Sequence, residues 1–151
     1  MKSGILFSIA FLTLFTSCKK ENATAKVIQK PKTAIAKDGC YAYKLNGSKI
    51  ELQLRYIANS DSITGTLDFA FAEKDSNKGT IKGKIANTVL IADYTFQSEG
   101  MESMRQVAFK LKDDKAILGY GEMTPDGTHF KDVAKVKFDS GIQLTRTDCT
   151  D

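Results

Sequence analysis

The sequence predicts an all-β fold: an up-and-down antiparallel meander that closes into a small barrel of eight or nine strands. Three observations carry this reading. From Cys40 onward, apolar and polar residues alternate with a period of two, and no window gives a comparably good helix. Turn residues recur at short intervals between the alternating runs. Tight hairpin loops placed at those turns then set apolar residues opposite apolar residues in most hairpins, which yields one continuous inward face.

The elements follow in chain order. Asn46-Gly47 is a two-residue hairpin loop, which sets Tyr43 opposite Ile50 and Tyr41 opposite Leu52. In the second strand Ile50, Leu52, Leu54 and Tyr56 alternate with Glu51, Gln53 and Arg55. A loop at Ser60-Asp61 sets Leu54 opposite Leu67 and Leu52 opposite Phe69. A longer turn at residues 73–78 leads to Ile81 and Ile85, which alternate with Lys82 and Lys84. Asn87-Thr88 pairs Ile85 with Leu90 and Ile81 with Tyr94, and on the outer face Lys82 with Asp93. Glu99-Gly100 pairs Phe96 with Ser103 and Tyr94 with Arg105. Asp113-Asp114 pairs Phe109 with Leu118, Val107 with Tyr120 and Arg105 with Glu122. The Thr124-Pro125-Asp126-Gly127 turn follows, and residues 131–148 supply one or two final strands. A meander of this length with one apolar face closes, because closure removes both exposed edges. Eight strands leave an interior that side chains fill or that holds one small ligand.

The first residues read as a leader. Lys2 supplies a positive start, and residues 5–15 form an apolar run of signal-peptide length, short for a bilayer span. The run ends in Leu14-Phe15-Thr16-Ser17-Cys18, which resembles the bacterial lipobox, with Phe15 where that pattern usually has Leu. The expected organisation is therefore a signal peptide at 1–17, a lipidated Cys18 with a flexible Lys-rich tether over 18–38, and a barrel domain over 39–151. Each buried acyl CH₂ contributes about 0.8 kcal/mol, so two chains already anchor stably to a membrane.

Charge is unevenly spread. Residues 19–37 hold six Lys and one Glu, whereas residues 38–151 hold 15 Lys and Arg against 17 Asp and Glu, a balance of −2. The domain therefore lacks the basic surplus that nucleic-acid binding requires, and no nucleic-acid partner is expected. Cys40 and Cys149 begin and end the domain. An even pair in an exported chain favours a disulfide, and barrel closure would bring their strands together.

Catalytic and metal signatures are weak. His129 is the single histidine, lies in a turn-like stretch, and has no nucleophile elbow near it. Cys and His spacings of the metal-binding kind are absent, and residues 73–79 fail the EF-hand pattern because the closing acidic position is Lys84. No enzyme activity, cofactor or metal is expected. The unusual feature is Arg105, which the register turns inward between Tyr94 and Glu122, with Ser103 and Tyr120 near. An inward guanidinium requires a carboxylate or a ligand anion. Two readings stay open: a buried ion pair that plugs one barrel end, or a pocket lined by Arg105, Glu122, Tyr94, Tyr120 and Ser103 for a polar headgroup or carboxylate.

The runs 73–83, 93–100 and 105–109, framed by Cys40 and Cys149, resemble small lipoproteins of Bacteroidetes type. The architecture is similar to lipocalin-like, or calycin-like, barrels, although the chain has no Trp and so no Gly-x-Trp signature. The resemblance implies a lipid-anchored protein of the bacterial cell envelope, at the outer membrane, on its periplasmic face or the cell surface. The expected role is non-enzymatic: binding a small amphipathic ligand within the barrel. The alternative is an interaction module, an inhibitor or assembly factor that contacts an envelope protein through its loops.

Overall fold

A computed structural model of the chain describes residues 38–72 and 76–149. The expected signal peptide, the lipidation site Cys18 and the tether to residue 37 lie outside these residues. The described chain is all-β, an up-and-down antiparallel meander closed as β1-β2-β3-β4-β5-β6-β7-β8. The strands are β1 Gly39–Leu45, β2 Ser48–Tyr56, β3 Ser62–Ala70, β4 Ser76–Ala86, β5 Val89–Ser98, β6 Met101–Lys112, β7 Lys115–Leu118 and β8 Gln143–Thr147. A short 3₁₀ turn, η1, covers Val133–Lys135. Of the eight or nine strands expected, eight form.

Alternation builds the core. The inward positions Ile50, Leu52, Leu54, Ile63, Leu67, Ile81, Leu90, Phe109, Leu111 and Leu144 are almost fully buried, and among the described residues no charged side chain is buried with them. Each such aliphatic or aromatic side chain contributes about 1.5–3 kcal/mol by leaving water. Among the described residues the core runs from Tyr41 to Leu144 and lies inside the closed sheet.

Most hairpin registers are those that the turns dictate. Tyr43 pairs with Ile50, Ile85 with Leu90, Lys82 with Asp93, Tyr94 with Arg105, and Phe109 with Leu118. Asn46 and Gly47, and Glu99 and Gly100, take positive φ at both positions, which matches the twist of the flanking strands. The β2–β3 hairpin differs. Leu52 pairs with Leu67 and Ile50 with Phe69, because the loop spans residues 57–61. Ile57 N–H donates to Ser62 O at 3.1 Å and Asn59 turns the chain with φ 57°. The register is displaced by two residues rather than one, so every side chain keeps its face.

The seventh strand stops at Leu118, short of the expected pairings of Tyr120 with Val107 and of Glu122 with Arg105. β6 therefore outlasts its neighbour, and residues 119–142 leave the sheet before β8 closes the barrel on β1 through Cys40–Thr147, Tyr41–Arg146 and Ala42–Thr145. Cys40 and Cys149 form the expected disulfide, with Cα atoms 5.2 Å apart.

Candidate functional site

The mismatch between β6 and β7 creates the site. β6 runs 12 residues and β7 only 4, so the first half of β6 has no strand beside it on that side. Residues 119–142 cover this edge. Gly119 N–H donates to Ala108 O at 2.8 Å and Gln106 N–H to Thr128 O at 2.6 Å, which ties the excursion to β6. Within the excursion, Tyr120 bridges to Lys137 and Met123 to Phe130. The expected turn at Thr124-Pro125-Asp126-Gly127 is present: Gly127, at φ 72°, donates to Thr124 O at 2.8 Å. The Asp126 carboxylate accepts from the Thr124 hydroxyl at 2.6 Å and from Thr128 N–H at 3.2 Å, which holds its carboxyl below the usual range. The Gln106 side chain adds a brace, accepting from Phe130 N–H at 3.3 Å.

Between the barrel end and this excursion lies an open cavity of about 410 Å³. Phe69 and Phe71 form one wall, and Leu118, Met123 and Phe130 another. Arg105 and Val107 enter from β6. Behind the Phe69 wall the aromatic rings continue into the core: the Tyr94 and Phe96 rings stack at 4.8 Å, and Phe69 meets Tyr94 edge-on at 5.8 Å. The Arg105 guanidinium lies 5.5 Å from the Phe69 ring centroid and 5.4 Å from that of Phe96. Two buried rings thus place one half-buried cation through cation–π attraction. Arg105 has no ion-pair partner among the described residues.

The expected site residues separate. Arg105 and Tyr120 line the cavity. Tyr94 lies beneath it as a core residue, its hydroxyl donating to Asn77 O at 2.9 Å. Burial, then the Asp68 carboxylate, pushes the Tyr94 phenol up to about 12, against the opposing pull of Arg105. Ser103 is half-buried opposite Phe96. Tyr120 is 48% exposed, and its hydroxyl is raised by a hydrogen bond to Asp139. Glu122 corrects the expectation. With β7 ended at Leu118, no ladder carries it to Arg105. Its carboxylate is exposed and pairs with Lys131 in the excursion. The apolar walls escaped sequence reading, since Met123 and Phe130 sit in a segment without period; the bulky pair flanking the 124–127 turn was the available signal.

The opposite end of the barrel is plugged. Arg146 stacks on Tyr41 at 5.7 Å and donates to Asp38 O at 2.8 Å. The Tyr56 hydroxyl is buried beside them without a partner among the described residues, and burial pushes it up to about 12. His129 is exposed: its Nδ1 lies 2.8 Å from Thr128 Oγ1, while Asp93 is 3.9 Å from Nε2, beyond hydrogen-bond reach. No cluster of three metal-ligating side chains occurs among the described residues. No protein-family model, curated protein or solved structure matches the chain.

Proposed function

We propose that the chain is a lipid-anchored protein of the bacterial cell envelope, held at the outer membrane through Cys18, and that it binds a small amphipathic ligand in the open end of its barrel. The observation that carries the binding role is the cavity of about 410 Å³, apolar on its walls and entered by a single guanidinium. Its size falls within the range of small-molecule sites, and one charged group among mostly apolar walls suits an amphiphile. The role proposed is binding: the carboxylate facing the exposed His129, that of Asp93, lies 3.9 Å from Nε2, too far to orient the ring by a hydrogen bond.

Native mass spectrometry of the soluble chain, residues 19–151, purified without detergent, tests this. The expected result is a non-covalent adduct, or uptake of a neutral apolar dye, that Val107→Trp removes by filling the cavity. A chain that carries no adduct and takes up no dye overturns the reading. A second reading, contact with an envelope protein through the loops, draws on Leu45 and Met101, 55% and 69% exposed on the hairpins at the cavity end. Leu45→Lys with Met101→Lys would then abolish partner binding and leave dye uptake intact.

A further inference from the structure

We propose that the ligand is a monoanionic, carboxylate-headed amphiphile, bound head-inward with its carboxylate on Arg105 and its tail against the excursion. This rests on the reading of the barrel end as a ligand cavity. The first warrant is charge. Arg105 is the cation of the cavity lining, and no Asp or Glu lines the cavity among the described residues. Of the excursion's lysines, Lys131 pairs with Glu122 and Lys135 with Asp132, and none of them, Lys137 included, lines the cavity. One uncompensated positive charge matches one negative charge; a dianionic phosphate would call for a second cation or a nest of backbone N–H groups.

The second warrant is geometry. Contacts to Phe69 and Phe96 fix the guanidinium against these two rings, so its charge is positioned before a ligand arrives. A planar fork held in this way suits the two oxygens of a carboxylate, which a lysine ammonium would meet only as a point charge. The third warrant is the order of surfaces. Arg105 lies against the Phe69 wall, while Leu118, Met123 and Phe130 stand along the other wall. A ligand with its head on Arg105 lays its apolar tail on these side chains, where removal from water contributes about 25 cal/mol per Å². The opposite orientation would leave the carboxylate against apolar walls and the guanidinium without an anion.

Calorimetric titration of the soluble chain, residues 19–151, with decanoate and with decanol tests this, since the two probes share a chain and differ in the head. Decanoate is expected to bind at least about tenfold tighter than decanol. Arg105→Met should remove that preference, and continued decanol binding by the variant reports that the cavity has kept its shape. Arg105→Lys should retain a reduced preference, because charge survives and the fork does not. Equal affinities for the two probes in the unaltered chain, or a decanoate preference that survives Arg105→Met, overturn the head assignment and leave the cavity standing. Failure of both probes to bind overturns the head assignment together with the ligand cavity itself.

Discussion

Arg105 is seated by two aromatic rings instead of by a carboxylate, and this changes what its neighbourhood does to stability. A buried Arg–Glu pair broken on one side costs about 3–5 kcal/mol. Glu122, however, is exposed and faces Lys131. Exposed pairs of this kind are worth about 0–1 kcal/mol. Glu122→Ala should therefore shift the urea midpoint by no more than about 1 kcal/mol equivalent, and a loss of several kcal/mol would mean that Glu122 does support a buried cation. The tyrosines make a second residue-scale prediction. Tyr94 and Tyr56 are raised from 10.0 to about 12, in each case chiefly by burial. Above pH 10 the unfolded chain releases these protons while the folded chain keeps them, so it is the folded state that binds more protons. Their contribution is complete below pH 10 and is lost as pH rises toward 12. Urea melts across that window should show stability falling with pH, less steeply in Tyr94→Phe. Identical slopes in the two proteins would contradict the burial of the Tyr94 phenol.

Strands and their turns explain what could be read in advance. Alternation and loop chemistry specified the hairpins at Asn46-Gly47, Asn87-Thr88, Glu99-Gly100 and Asp113-Asp114, because in each the apolar face and the loop agree on one register. Ser60-Asp61 misled because the apolar face tolerates a two-residue displacement, so the pattern alone could not arbitrate the loop length. The pairing of Arg105 with Glu122 failed for another reason: it extended the β6–β7 ladder past Leu118, where Gly119 and Gly121 let the chain depart. The cavity walls were hidden for the same reason, since they belong to a segment held by hydrogen bonds to β6 rather than by period. Glycines inside the sheet carry an element-scale prediction. A Cβ at Gly65 would lie 1.8 Å from Gln53 O, and one at Gly79 would lie 2.0 Å from Thr95 O. Both positions face inward where neighbouring backbone closes over them, opposite Ile81 and Leu67. Gly65→Ala and Gly79→Ala should each destabilise by about 1–3 kcal/mol through backbone displacement, measured in urea. Near-neutral effects would show that the sheet relaxes at no cost and that these glycines do not set its curvature.

Closure of the whole barrel rests on its shortest members. β8 pairs with only three residues of β1 and three of β7, whereas β5 and β6 share a ladder of ten. The seam is therefore the least reinforced part of the sheet, and it holds the disulfide. Cys40 sits in the β1–β8 ladder opposite Thr147, and Cys149 follows just beyond, 109 residues later in the chain. A link of that length removes a large share of the unfolded chain's freedom, about 4–5 kcal/mol in the chain-entropy model, and native disulfides of small exported domains are generally worth about 2–5 kcal/mol. The bridge and Asp38 lie at the plugged end, while the cavity lies at the end of the 46–47 and 99–100 hairpins, so the two ends of the barrel have separable roles. Replacing both cysteines, Cys40→Ser with Cys149→Ser, should lower stability by about 2–5 kcal/mol in urea. Amide exchange should rise first in β8 and in the first residues of β1, before β5 and β6 respond. Dye uptake at the cavity should persist under native conditions, because Phe69, Arg105 and Val107 belong to the long central strands. Unchanged stability in the double variant would show that the short β1–β8 ladder closes the barrel by itself. Exchange that accelerates uniformly across all strands would show instead that the seam and the central sheet open as one unit.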